Sequence, residues 1–175
     1  MEAREVLQKV KSGEISVEEA ENYFRREPFE EMGYAKIDTH RKLRSGFAEV
    51  IFCSGKSDEH LLSIFGKLYE ENGEVMGTRA SKEQAALIQK HYEKAEYDET
   101  SHIIKIEKKD KPHVGSIAVC TAGTADIPVA EEAAQTAEYF GSKVWRIYDV
   151  GVSGLHRLLA NIEEVQQANC VSAVA

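Results

Sequence analysis

SIAVCTAGTADIPVAEEAAQTAEYFGSKVWRIY, residues 116–148, reads as strand, turn, helix and strand in succession. Ser116–Cys120 is a short apolar run with the length of a fully buried strand. Thr121–Asp126 consists of small and turn-forming residues, and Pro128 suits the first turn of a helix, where its missing N–H is no loss. Val129, Ala130, Ala133, Ala134, Ala137 and Phe140 then recur at helical spacing, and Gly141 is a good stop. Val144–Tyr148 returns to strand character. Beyond it, Leu155–Gln167 has the length of a second helix and Cys170–Ala175 (CVSAVA) that of a third strand. Strands joined through helices by short loops pair in parallel with right-handed crossovers. Residues 111–175 are therefore predicted to form the βαβαβ half of a doubly wound domain. Parallel sheets bury both faces, so the chain is expected to be truncated, the other half being absent or supplied by another subunit.

Upstream, residues 2–27 read as two short helices, with Ser16-Val17-Glu18-Glu19 fitting a capping box. Pro28 ends the second, and Phe29–Gly46 reads as an ordered loop. A strand–helix rhythm follows: strand Glu49–Cys53, turn Gly55-Lys56-Ser57, and a helix over Glu59–Asn72. Leu61, Leu62, Phe65, Leu68 and Tyr69 share one face of that helix. Glu74–Thr78 is a strand, Ser81 caps a helix reaching Tyr92, and His102–Ile106 is a third strand. Residues 1–110 are thus predicted to be a small α/β domain with a helical lead-in. Glu107–Pro112 (EKKDKP) is the linker to residues 111–175.

Composition bounds the function. Apolar residues make up 42% of the 175 and charged residues 30%, the balance of a globular protein. A net charge of −8 excludes a broad grip on nucleic acid, which needs a basic face. The three cysteines, Cys53, Cys120 and Cys170, lie in apolar runs without disulfide or zinc spacing. Buried thiols in a reducing compartment are expected. The charged N-terminus has no apolar core of a signal peptide, and no run is long enough to span a membrane. The expectation is a cytoplasmic protein.

Two loops carry the candidate chemistry. Thr121-Ala122-Gly123-Thr124-Ala125-Asp126 follows a parallel strand at its carboxyl end, where open α/β sheets bind ligands. Its small residues allow a phosphate to approach the backbone, the helix N–H groups favour an anion, and Thr121 and Thr124 offer hydroxyls. Asp126 reads either as the helix N-cap or as a group accepting from ribose hydroxyls or handling a proton. Asp149-Val150-Gly151-Val152-Ser153-Gly154-Leu155-His156-Arg157 follows the next strand at the same edge. Arg157 supplies a fork for phosphate or carboxylate; His156 could donate to phosphate or shuttle a proton. Asp149, Gly151 and Ser153 complete that loop's candidate set. Asp38, Arg41 and Arg44, in the charged run DTHRKLR (38–44), and Lys56 and Arg79, which follow predicted strands, are further candidates for a cleft. The six histidines form no metal-binding motif. No G-x-G-x-x-G, P-loop or G-x-S-x-G occurs, which excludes Rossmann hydride transfer, P-loop chemistry and the α/β-hydrolases.

GYAKIDTHRKLRSGFAEVIFCSGKS (33–57), GTRAS (77–81), AVCTAGTADIPVAEEAAQTAEYFG (118–141) and YDVGVSGLHRLL (148–159) resemble, in order, the LarB family. The carboxyl half of that family is related to the PurE aminoimidazole ribonucleotide carboxylases and mutases. The resemblance implies a PurE-like, flavodoxin-like parallel three-layer domain at 111–175. It implies the pyridinium-3,5-biscarboxylic acid mononucleotide synthase of nickel-pincer nucleotide biosynthesis, acting on nicotinic acid adenine dinucleotide. A cysteine thiolate adds to the electron-poor ring, the resulting enamine attacks carbon dioxide, and loss of the ring proton and of the thiolate restores aromaticity. Hydrolysis of the phosphoanhydride releases AMP. Bicarbonate or carbon dioxide is then the co-substrate, magnesium a candidate ion, and no cofactor is permanently bound; the assembly is a homo-octamer. The loop 121–126 resembles the PurE phosphate and ribose loop, with Thr121 in place of its first glycine, and His156-Arg157 resembles the Ala-His-Arg loop. The family's third loop and catalytic cysteine are expected beyond Ala175, so this chain alone is expected to be inactive. Two other readings stay open: an aminoimidazole ribonucleotide carboxylase or mutase, and a non-catalytic nucleotide-binding or assembly module.

Overall fold

Ser16 and Glu19 reciprocate as the spacing predicts: the Ser16 N–H donates to Glu19 Oε2 at 2.7 Å and the Glu19 N–H to Ser16 Oγ at 3.0 Å. The computed structural model, which describes residues 3–24, 30–31, 33–34, 36–38, 41 and 46–175, divides into two compact units, Met1–Glu49 and Val50–Ala175. In the first, α1 (Ala3–Ser12) and α2 (Val17–Phe24) bury Val6 and Ala20. The stretch expected to be loop instead holds two short antiparallel strands, β1 (Glu30–Glu31) and β2 (Lys36–Ile37). Two-residue strands leave no periodic signal to read. The predicted stop at Pro28 lies outside the described residues.

The second unit contains both larger sheets. The first has the order β3-β4-β6-β5, from β3 (Ile51–Phe52), β4 (Val75–Thr78), β5 (Glu96–Asp98) and β6 (Ile103–Ile106). β3 pairs parallel to β4, while β6 pairs antiparallel to both β4 and β5. Helices α3 (Asp58–Asn72) and α4 (Lys82–His91) begin at Ser57 and Ser81, whose side chains accept from His60 and Gln84 N–H groups. Leu61, Phe65, Leu68, Ile88, Val75 and Ile104 are all buried. β5 escaped the sequence reading because an edge strand needs little apolarity, and Glu-Tyr-Asp has little.

The second sheet is all parallel in the order β8-β7-β9, from β7 (Ser116–Thr121), β8 (Lys143–Ile147) and β9 (Cys170–Val174). This is the beginning of a flavodoxin-like order. Successive strand residues face opposite sides. Val119 packs with Ala130 and Ala134 of α5 (Ile127–Tyr139). Ala118, Cys120 and Ile147 pack with Leu158 and Val165 on the other face. The three-layer α/β class is as predicted. The helix expected over Leu155–Gln167 is broken into α6 (Leu155–Ala160) and α7 (Ile162–Gln166). Asn161 causes the break, its side chain donating to the Arg157 carbonyl at 2.8 Å in competition with the backbone ladder. Cys170, expected in the core, is exposed at the start of β9 beside Val171, itself 50% exposed.

The expected boundary at 110/111 separates two sheets that share α5. Met76 and Ile103 pack on Tyr139 and Phe140, and the segment expected as a free linker is pinned there. Lys111 Nζ lies 2.8 Å from Glu74, 3.2 Å from Glu107 and 3.7 Å above the Tyr139 ring. The Lys111 and Glu74 side chains are only 18% and 13% exposed, so removing one partner strands a nearly buried charge. Lys111→Met is expected to lose about 2 kcal/mol in urea unfolding. Lys82→Met, at an open pair with Glu99, is expected to leave the urea midpoint essentially where it was. Equal losses would show that Lys111 is no clasp.

Acid should loosen the same unit. Burial pushes Glu107 and Glu131 up, yet Lys105 and Lys111 at the first, and Tyr148 and Arg146 at the second, hold both below the ordinary 4.5. A folded-state pKa below the unfolded one stabilises above the unfolded value, and that stabilisation disappears as pH falls through the folded value. The thermal midpoint is therefore expected to fall as pH drops below 4.5 and to be insensitive to these groups near neutrality. A midpoint unchanged under acid would contradict both pairings.

Candidate functional site

β7 and β8 end side by side and their loops are braced against each other. Thr121 is 1% exposed and its Oγ accepts the Asp149 N–H at 2.9 Å. The Val150 N–H donates to the Thr121 carbonyl at 2.9 Å and the Gly151 N–H to the Ala122 carbonyl at 3.0 Å. Thr121, read from sequence as a phosphate donor, is thus a strut beneath the loops. A side chain on Gly151 would place Cβ 2.6 Å from the Ala122 oxygen. Glycine here permits close approach of one loop to the other.

Beyond Gly123, a 3-10 turn over Thr124–Asp126 leads into α5. Asp126 does not cap α5. Its Oδ2 instead accepts the Gly123 N–H at 2.9 Å, closing the turn. Thr124 is exposed while Gly123 and Asp126 are half-buried. The turn lies over the ends of β7 and β9, the Ala122 N–H donating to the Val174 carbonyl at 3.0 Å. The connection from β7 departs toward β8, while β9 flanks β7 on its other side; open α/β sheets take ligands at such carboxyl ends.

The second loop holds its cation in a cradle. Asp149 adopts a left-handed backbone, φ 58°, which aspartate tolerates better than most residues. Its Oδ2 pairs with Arg157 Nη1. The guanidinium lies against Gly154, where a Cβ would come within 2.8 Å of Nε. Gly154 is bare because the arginine occupies that space. Ser153 and His156 are exposed at the same loop.

The other candidates divide. Lys56 and Arg79 follow the parallel strands β3 and β4, and Arg79 Nε meets Glu132 of α5 at 2.6 Å. Asp38 belongs to the first unit, where its N–H donates to Glu49 Oε2 at 3.0 Å; Arg41 is exposed there. Arg44 lies outside the described residues. Cys120, next to Thr121, packs beneath the rim with Ile147 and Val150 rather than opening into it. Burial pushes the Cys53 thiol up to about 11 against the pull of Lys56, and raises Cys120 as well. Cys170 pairs with Ile117, at the opposite end of β7 from Thr121. Sequence reading missed the Arg146 cluster, in which the guanidinium binds Glu131 at 3.0 Å and Glu138 at 2.5 Å while Tyr148 donates to Glu131. It ties β8 to α5. Among the described residues, no group of three or more His, Cys, Asp or Glu is arranged to hold a metal ion, and no helix is long and apolar enough to cross a membrane.

Comparison with known proteins adds a family. Residues 29–109 match the family described as LarB/PurE-like N-terminal domain. An uncharacterized protein of Methanocaldococcus jannaschii is 33% identical over 182 residues, which takes in 98% of this chain and 71% of that protein.

Proposed function

The chain belongs to the LarB family, and from that membership we propose that its paired loops bind a pyridinium dinucleotide, nicotinic acid adenine dinucleotide, for ring carboxylation and phosphoanhydride hydrolysis. One observation carries this reading: two loops on one edge of a parallel sheet are locked to each other by Thr121 and Gly151, and the second of them holds Arg157 on Asp149. An anion entering that rim meets the Thr124 and Ala125 N–H groups, since those of Gly123 and Asp126 are spent within the turn, and the Arg157 guanidinium from the second loop. Arg157 exchanges Asp149 for phosphate oxygens, which it can bind in a two-pronged manner. Thr124 and Ser153 offer hydroxyls, Asp126 is placed to accept from a ribose, and His156 stands at the rim with two nitrogens for phosphate or proton.

In this reading the present residues bind and orient, and the ring-attacking thiolate comes from elsewhere. Neither Cys53 nor Cys120 is poised to be a thiolate, since burial raises both. Carbon dioxide or bicarbonate is the co-substrate, and magnesium, where needed, arrives on the phosphates. The family relationship also favours a homo-oligomer. The test is calorimetric titration with nicotinic acid adenine dinucleotide, followed by incubation with bicarbonate. AMP and a mononucleotide heavier by one carboxyl group are then expected by mass spectrometry only where the ring-attacking thiolate is supplied. Calorimetric binding of the dinucleotide is expected whether or not turnover follows. A protein that binds an aminoimidazole ribonucleotide and ignores the dinucleotide would overturn the proposal in favour of PurE-like chemistry.

A further inference from the structure

Arg157 is held at both ends by residues that do not themselves face the rim. At its head, Asp149 Oδ2 pairs with Nη1, and the direction of Asp149 is set from β7. Its N–H donates to the Thr121 hydroxyl at 2.9 Å, and the next N–H, of Val150, donates to the Thr121 carbonyl at 2.9 Å. One residue thus grips the peptide on either side of Asp149. These bonds hold its φ at 58°, a left-handed backbone that few side chains adopt unforced. Enforced conformations of this kind mark places where direction matters. Thr121 is 1% exposed, so its hydroxyl serves the loop and not a ligand.

At its root, the Arg157 carbonyl accepts from the Asn161 side chain at 2.8 Å, while the Asn161 N–H turns to the Leu158 carbonyl at 3.1 Å. In a regular helix the Asn161 N–H would take the Arg157 carbonyl. Here the side chain has taken that place, and α6 ends. Packing does not call for the break. Leu158 and Val165 both pack on the sheet, and seven residues apart they would share one face of an unbroken helix. What the break frees is the turn that carries Arg157, which is then set by its own loop and not by the axis of α7. Between the two anchors Gly154 leaves room for the guanidinium, Nε and Nη2 lying 2.8 and 3.2 Å from where a Cβ would stand.

We propose that Thr121 and Asn161 are positioning residues for anion capture: neither touches the ligand, and together they hold Arg157 in the direction in which it meets a phosphate. The proposal rests on the dinucleotide reading above and adds which residues prepare its cation. A side chain aimed beforehand has less freedom left to lose on binding, and affinity rises by that difference. Loss of either anchor leaves the charge in place and loosens its aim.

Two measurements on the whole chain test it. Without ligand, the Arg157 Nε–H signal in heteronuclear NMR is identified by its loss in Arg157→Met. It is expected to move to the position of exposed arginines in Thr121→Val and Asn161→Ala, and to stay in Thr121→Ser, which keeps the hydroxyl. In calorimetry the same two variants are expected to bind nicotinic acid adenine dinucleotide about 10-fold more weakly, the worth of one hydrogen bond, with Thr121→Ser within about twofold of wild type. Added to Arg157→Met, neither should weaken binding further by more than about twofold, because residues that act through one another are not additive. Equal weakening with and without Arg157, an unmoved signal, or a Thr121→Ser as weak as Thr121→Val rejects the positioning and leaves the dinucleotide reading standing. A wild-type protein that does not bind the dinucleotide rejects that reading, and the NMR signal then decides the positioning alone. Should Thr121→Val fail to fold, Asn161→Ala, at the half-buried helix break, serves in its place.

Discussion

Arg157→Met is expected to weaken nicotinic acid adenine dinucleotide about 30- to 100-fold in calorimetry while shifting unfolding free energy by less than ~1 kcal/mol. The asymmetry follows from what Arg157 now touches. Its partner Asp149 is 49% exposed and Arg157 itself 38%, so the pair is solvated, and an open ion pair stabilises little. Against a phosphate the same guanidinium makes charge-assisted, two-pronged bonds worth about 2–3 kcal/mol. Arg157→Lys should recover charge but not the fork and fall between the two. Asp149→Asn keeps a residue that tolerates the left-handed backbone and removes the carboxylate that competes with the ligand, so a modest gain in affinity is expected. If Arg157→Met binds as the wild type does, the rim is not where phosphate goes.

What could be read in advance was whatever repeats along the chain. The apolar runs at 116–120 and 144–148 and the alanine stripe of α5 announce themselves by period, and parallel pairing follows from the short helical crossovers between them. The Ser16 and Ser81 caps were legible because they are local patterns spanning four residues. β5 was not, because three polar residues become a strand only when β6 offers an edge. Asn161 was not, because its side chain competes with one carbonyl inside an otherwise helical stretch. Cys170 misled because an apolar neighbourhood in sequence need not be covered in space.

The site divides along the same line. Both glycine-bearing loops and Arg157 could be picked out, since turn chemistry after a strand is local. The braces could not. Thr121 with Asp149 and Ala122 with Gly151 join residues nearly thirty positions apart through one hydroxyl and one carbonyl. Lys111 offered no hint of Glu74, nor Arg79 of Glu132, because charge at a position says nothing of which carboxylate will stand opposite. Pairings of this kind turn a plausible pair of loops into one rim.

Two glycines in that rim should therefore respond in opposite ways to the same substitution. Gly151→Ala sets Cβ 2.6 Å from the Ala122 carbonyl oxygen and 3.2 Å from its carbon. Both belong to backbone, which cannot swing aside as a side chain does, so the loops must part or the chain must strain. Overpacking of this sort costs about 1–3 kcal/mol. The rim widens as the Gly151 N–H to Ala122 bond is lost, and groups displaced by ~1 Å bind and react on the order of 100-fold less well. Gly123→Ala meets only Asp126 Oδ2 at 3.8 Å, an ordinary contact, and its φ of −138° suits any residue. Its stability should stay within about 0.5 kcal/mol of wild type. Any loss of dinucleotide binding in that variant then reports a ligand lying against the Gly123 backbone, whereas loss in Gly151→Ala reports the spacing of the loops. Were Gly151→Ala to melt and bind like the parent, the two loops would not depend on their mutual bracing, and a binding site built from both would have no physical basis.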